Sequence, residues 1–139
     1  MENIKKVPVL RFSEFFGDWE INKLEKFGEF KNGLNKSKED FGFGNPFVNL
    51  MDVFGKNSIL DIDNLGLVNV NKKELKSYNL KKGDVIFIRS SVKREGVGET
   101  VVILNDLKDT VYSGFLIRFR EKDKSNELDL LFKKYCFHT

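Results

Sequence analysis

Sulfur and imidazole are scarce in this sequence. Its 139 residues include one cysteine, Cys136, and one histidine, His138, both close to the end. One cysteine excludes a disulfide framework within the chain and makes a reducing cytoplasm the simplest compartment. Two soft ligands fall short of the four that structural zinc takes and the three that catalytic zinc takes. The pair Asp61 and Asp63 in "DID" lacks the glycine and spaced oxygens of an EF-hand loop and reads as solvated carboxylates. Long apolar runs are missing too. Nothing approaches the ~18 residues needed to span a bilayer. The opening "MENIKKVPVLRF" has no apolar stretch of signal-peptide length. No metal, no cofactor and no membrane partner is expected, and the chain reads as soluble and cytoplasmic. An excess of one charge is also lacking: 24 Lys+Arg against 21 Asp+Glu leaves +3. That balance permits a nucleic-acid partner without demanding one.

Catalytic signatures are equally thin. Ser90 and Ser91 follow an apolar run, where nucleophiles often sit, but no G-x-S-x-G elbow surrounds them. The only imidazole base is His138. "GFGNPF" and "GVGE" fit neither G-x-G-x-x-G before a helix nor the lysine-bearing phosphate loop. No Asn-Pro-Pro-Tyr or Asp-Pro-Pro-Tyr string of a methyltransferase occurs. No catalytic residue is assigned, and the chain is not expected to be an enzyme.

What is present is a core. The apolar fraction is 40%, with 14 phenylalanines, too rich in large hydrophobes for a disordered chain. One domain over residues 1–139 is expected. Residues 1–20 read as an extended arm packed on the body through its aromatics. Ile21, Leu24 and Phe27 suggest a short helix ended by Gly28, and Phe30 starts a strand turning at Asn32-Gly33. "LNKSKEDFGFGNPF" reads as loop. "PFVNLMDVFG" reads as a short strand running into a turn, and "LGLVNV" as a strand. Asn71 with Glu74 makes a capping box for a short helix. Val85 to Ile88 is an unbroken apolar run, as expected of a strand covered on both faces. "ETVVILN" is a second strand and "VYSGFLIRFR" a third, with Phe115, Ile117 and Phe119 alternating against Leu116, Arg118 and Arg120. Residues 125–137 read as a helix capped by Ser125, with Leu128, Leu131, Phe132 and Tyr135 at helical spacing. The expected class is α+β: one dominant, curved, mostly antiparallel sheet with short flanking helices.

Three basic clusters stand out. Lys72, Lys73, Lys76, Lys81 and Lys82 read best as a solvated face. Two others mix cations with small polar residues: Lys31, Lys36 and Lys38 with Asn32, Asn35 and Ser37, and Arg89, Lys93 and Arg94 with Ser90 and Ser91. Long cations, hydroxyls and amides are what contact phosphate. Arginine reads guanine edges and asparagine reads adenine. For these two loops DNA contact is the favoured reading over a solvated face.

Several strings together resemble one family. "VPVLRFSEFFGDWE" is similar to the start of specificity subunits of type I restriction–modification systems, which often begin Pro-x-Leu-Arg-Phe-x-Glu-Phe and then Gly-x-Trp. Here these are Pro8 to Phe15 and Gly17 to Trp19. "LKKGDVIFIRSS" resembles that family's Gly-Asp-hydrophobic strand followed by Arg-Ser, "SGFLIRFR" a late strand, and "NELDLLFKKY" the closing helix. The resemblance implies the fold of a target recognition domain. In the family, two such domains are separated by long helices, each reads one half of a split DNA target, and the helices hold the methyltransferase subunits. Methylation and cleavage belong to the partner modification and restriction subunits. Against that pattern, these 139 residues are expected to hold one such domain, ending near where a spacer helix is expected to begin.

The leading expectation is therefore sequence-specific double-stranded DNA binding without catalysis. The contacting set is Asn35, Lys36, Lys38, Arg89, Ser90, Ser91, Lys93 and Arg94. Arg89 and Arg94 are the base readers, Lys36, Lys38 and Lys93 the phosphate holders, and Asn35 a candidate for adenine. One rival is a protein-interaction module, with another specificity subunit as partner and the last helix as its surface. The other is a small enzyme taking a phosphorylated substrate in the Arg89–Gly98 loop.

Overall fold

A computed structural model describes residues 7–91, 93–122 and 128–137. The elements run β1 (Gly28–Asn32), β2 (Phe41–Val48), α1 (Leu50–Val53), β3 (Ser58–Ile59), β4 (Gly66–Val68), α2 (Lys72–Tyr78), β5 (Val85–Ile88), β6 (Thr100–Ile103), β7 (Val111–Tyr112), β8 (Leu116–Glu121) and α3 (Leu130–Cys136). Short 3-10 turns lie at Leu24–Lys26, Lys38–Asp40 and Arg94–Gly96. The class is α+β, with most strand pairs antiparallel.

There are two sheets among the described residues, where the sequence suggested one. The larger has the order β1-β8-β5-β6-β3 and the smaller β4-β2-β7. Two pairs are parallel, β3 with β6 and β2 with β7. The inner face of the large sheet supplies Ile86, Ile88, Val101, Ile103 and Leu116; Val48 and Tyr112 of the small sheet and Val53 of α1 meet it in one core. On the outer face, Val85, Val102 and Phe119 are covered by Leu24, Phe27, Leu128, Leu130 and Phe137. β5 is thus covered on both sides, as its unbroken apolar run requires. α2 closes the small sheet through Leu75 and Tyr78.

Local chemistry explains several boundaries. The Asn71 side chain accepts from the Glu74 backbone N–H, and the Glu74 carboxylate accepts in return from that of Asn71. Two orphan donors of the helix start are satisfied together. Asn49 and Asp52 repeat the device at α1. Gly28 opens β1 rather than only ending a helix. A Cβ there would lie 2.5 Å from the Phe119 ring and the Arg120 carbonyl, so β1 needs glycine to pair this closely with β8.

Four expectations need correcting. The arm does not pack on the body through its aromatics: Phe12, Phe15, Phe16 and Trp19 are all exposed, and the Arg11 guanidinium donates back to the Gly17 carbonyl. The helix expected from Ile21, Leu24 and Phe27 is a single 3-10 turn, with Ile21 in solvent. Much of the expected loop after Leu34 is the eight-residue strand β2, whose Gly42 and Gly44 sit at φ +100° and +96° around a register shift against β4. Positive φ inside a strand needs glycine, so turn-like composition here marks a bulge. Finally, the third strand is two strands in different sheets, β7 and β8, broken at Ser113-Gly114-Phe115.

The closing helix also differs. It starts at Leu130 under an Asp129 cap, whose carboxylate accepts from the Leu131 and Phe132 N–H groups. The expected cap, Ser125, lies outside the described residues. Lys133, rather than the apolar stripe, is the buried residue of α3. Its ammonium donates to the Gly83 carbonyl at 3.0 Å and lies 3.1 Å from Glu121 Oε1, a charge contact without hydrogen-bond alignment. Leu131, Phe132 and Tyr135 face solvent.

Candidate nucleic-acid interface

Two distant segments meet at the break between β7 and β8. Residues 33–35 run beside 112–116: Gly33 N–H donates to the Leu116 carbonyl, Leu34 N–H to Tyr112, and Gly114 N–H back to Leu34. Gly33 is required at this crossing, since a Cβ would fall 2.0 Å from the Ser113 carbonyl oxygen. From the other side comes the end of β5. The Phe115 carbonyl accepts from both Arg89 N–H at 2.8 Å and Ser90 N–H at 3.2 Å. Three backbones are knitted into one platform.

Side chains of both sequence-predicted loops gather on it. The Asn35 amide lies over Gly114, its Oδ1 2.0 Å from where a Cβ would stand. The Arg89 guanidinium reaches the Gly114 carbonyl at 3.4 Å, a long contact, and among the described residues its other donors have no side-chain or carbonyl partner. Asn35, Arg89 and Ser90 are exposed. So is Phe115, at 54%.

The loop from Arg89 to Gly98 is closed at its base by Ile88 N–H to the Glu99 carbonyl and Gly98 N–H to the Ile88 carbonyl. Gly98 turns the chain at φ +90°. Ser91 serves the loop itself: its hydroxyl accepts from Lys93 N–H and packs on Gly96, which is wedged against Phe54. Lys93 lies over the Phe54 ring at 5.8 Å. Lys93 and Arg94 are exposed, and among the described residues neither they nor Arg89 and Lys38 form an ion pair.

The other lysines divide. Lys36 does not join the platform; it is bound to Glu74 at 2.9 Å, with only 15% of its side chain exposed. That ammonium, with the backbone N–H of Asn71, holds the Glu74 carboxyl below its usual range. Lys38 is exposed on the 3-10 turn before β2. Lys31 is turned to Ser77 and lies over Tyr78 at 4.7 Å. Lys72, Lys73, Lys76, Lys81 and Lys82 are exposed, as expected of a solvated face.

Phe115 and Gly114 were missed as site residues because "VYSGFLIRFR" reads as one strand. Ser113-Gly114 is itself a turn signal and could have marked the break. Among the described residues no three His, Cys, Asp or Glu side chains gather as a metal set. No described helix is long and apolar enough to cross a membrane.

No family model matches the sequence, and no curated protein matches it. Among solved structures, one similar chain comes from work on the structural basis underlying complex assembly and conformational transition of the type I restriction–modification system. The match has a TM-score of 0.51 at 20% identity and covers 80% of this chain and 25% of that one. This chain therefore corresponds to about a quarter of that longer protein, and what the two share is the fold.

Proposed function

We propose that this chain is one recognition domain that binds double-stranded DNA and reads one half of a bipartite target within a type I restriction–modification complex. Catalysis belongs to the partner methyltransferase and restriction subunits in this reading. The observation that carries it is the junction at Gly114, where Asn35 and Arg89 stand together on a hydrogen-bonded platform. These are the side chains suited to adenine and guanine edges. Exposed Lys93 on the same loop suits phosphate, and exposed Arg94 suits a second base edge. The shared fold supports the choice of system.

Fluorescence anisotropy on a random duplex tests the reading. With about four phosphates neutralised, log K falls against log salt at a slope of roughly −3 to −4. Absence of binding at low salt, or a flat salt response, sinks it.

A second reading has its own observation. Leu131, Phe132 and Tyr135 form an uncovered apolar stripe on α3, which suits a protein partner such as another specificity subunit. Self-association in sedimentation, together with no DNA binding, favours that reading.

A further inference from the structure

We infer that Phe115 is an apolar base reader that contacts the 5-methyl group of a thymine in the major groove. The inference rests on the DNA-binding reading above. Its starting point is position: several phenylalanines are exposed, and Phe115 is the one whose carbonyl is bonded to Arg89 and Ser90. Phe115 is 54% exposed, although the next residue, Leu116, is fully buried. It belongs to none of the three apolar clusters and pairs with no other described aromatic ring.

This exposure is not that of a loose loop. The Phe115 N–H donates to Ser113 Oγ at 3.2 Å, and its carbonyl takes two backbone N–H groups, from Arg89 and Ser90. Gly114 before it is tied to Leu34, and Leu116 after it donates to the Ser113 carbonyl. The backbone is held on both sides, so the ring is presented from a fixed point and only its own side-chain torsions remain to be ordered on binding.

The neighbours define what the ring would meet. Asn35 suits the N6 and N7 edge of adenine, and Arg89 suits O6 and N7 of guanine; both edges lie in the major groove. There the partner of adenine displays its methyl group, the one apolar feature of that surface, and phenylalanine is among the side chains that contact it. A minor-groove wedge is the competing role for a phenylalanine beside Arg and Asn; it does not touch the thymine methyl, which lies in the major groove, so removal of that methyl separates the two. An Asn–Phe–Arg platform is therefore matched to an A·T pair beside a G·C pair.

The test uses the full chain and a duplex recovered by selection from a random pool. Each thymine is replaced in turn by deoxyuridine, which removes only the methyl group. Wild-type protein is expected to lose roughly three- to tenfold in affinity at one position, the worth of burying about one methyl group or somewhat more. Phe115→Ala should bind the thymine duplex that much more weakly and show no preference between thymine and deoxyuridine there. Phe115→Leu should keep part of the preference. Because the ring is exposed, Phe115→Ala should keep the urea midpoint of wild type, which checks that it folds.

Four outcomes overturn the inference while DNA binding stands: every deoxyuridine duplex binding as tightly as its parent, a selected target with no thymine, Phe115→Ala keeping the same preference, or Phe115→Ala losing only self-association. Failure to recover any duplex, with no salt-dependent binding, removes the DNA reading and this inference with it.

Discussion

Arg120 grips Asp84 with two parallel hydrogen bonds, Nε to Oδ1 at 2.8 Å and Nη2 to Oδ2 at 2.7 Å. Asp84 is 2% exposed and heads β5; Arg120 lies on β8, the strand beside it. The same carboxylate accepts from Lys81 N–H, and Arg118 and Arg120 both donate to the Asn79 carbonyl. Gly83, at φ +92°, turns the chain into this position. The Gly-Asp pair in "KKGDVIFI" is thus a latch that aligns β5 and its loop with β8.

Breaking that latch should be costly. Asp84→Asn leaves Arg120 with no ionic partner in a site that is mostly closed to water. Removing one member of a buried pair costs about 3–5 kcal/mol, and the 28% exposure of the Arg120 side chain lowers this to about 2–4. Urea denaturation measures the loss. Arg120→Met should cost a similar amount, and the double variant should lose clearly less than the sum. Additive losses would mean the pair is not coupled.

Tyr112 predicts a loss of stability in alkali. Its hydroxyl donates to the Lys31 carbonyl at 3.0 Å, in a site fully closed to solvent. Burial pushes its pKa from 10.0 up to about 12. The unfolded chain then releases the proton first. The contribution is whole below pH 10 and is lost as pH rises towards 12. The stability gap between wild type and Tyr112→Phe should shrink by roughly 2–3 kcal/mol across that window. A gap that stays constant with pH would refute the assignment.

The two glycines of the platform should separate stability from recognition. Gly33→Ala drives a methyl group into the Ser113 carbonyl, a backbone atom, and should cost about 1–3 kcal/mol in urea unfolding. The three nearest atoms that Gly114→Ala would meet all belong to the Asn35 amide, an exposed side chain that can swing away. It should unfold nearly as wild type does, yet weaken DNA binding as Asn35→Ala does. If Gly114→Ala binds normally, Asn35 is not a reader.

Arginine and lysine on the loop should differ in kind. Arg89→Ala is expected to cost about 1–3 kcal/mol on the selected duplex and relax preference at one base pair. Lys93→Ala should weaken all duplexes alike and reduce the salt slope by about one. Lys36→Ala should change the slope less than Lys93→Ala, because Lys36 is already bound to Glu74. An equal change would show that DNA draws Lys36 away from that carboxylate.

The sequence by itself determined what neighbouring residues decide among themselves. Asn71 and Glu74 cap α2 because both groups lie within one turn, and the interaction needs nothing from elsewhere. Val85 to Ile88 form a strand covered on both faces because four apolar residues in a row leave no polar face to turn outward. The alternation of β8 was legible too, though Arg118 is buried and Arg120 only partly exposed. Arg118 lies over Tyr112 at 5.5 Å, and burial pulls its pKa down. Arg120 is held by Asp84.

Only the tertiary structure decided which elements meet. The turn-rich composition around Gly42 and Gly44 concealed β2, because a bulged strand and a loop call for the same residues. A break of three residues sent β7 and β8 to different sheets; Ser113-Gly114 signals a turn there, but no local pattern says that the two strands join different sheets. Lys36 and Arg89 look alike as basic loop residues; the position of Glu74 took one, and the turn at Gly114 presents the other. Partner choice depends on residues scores of positions apart, so no local pattern encodes it. The candidate site depends on that choice: Asn35, Arg89 and Phe115 become neighbours only through backbone hydrogen bonds between segments far apart in the chain.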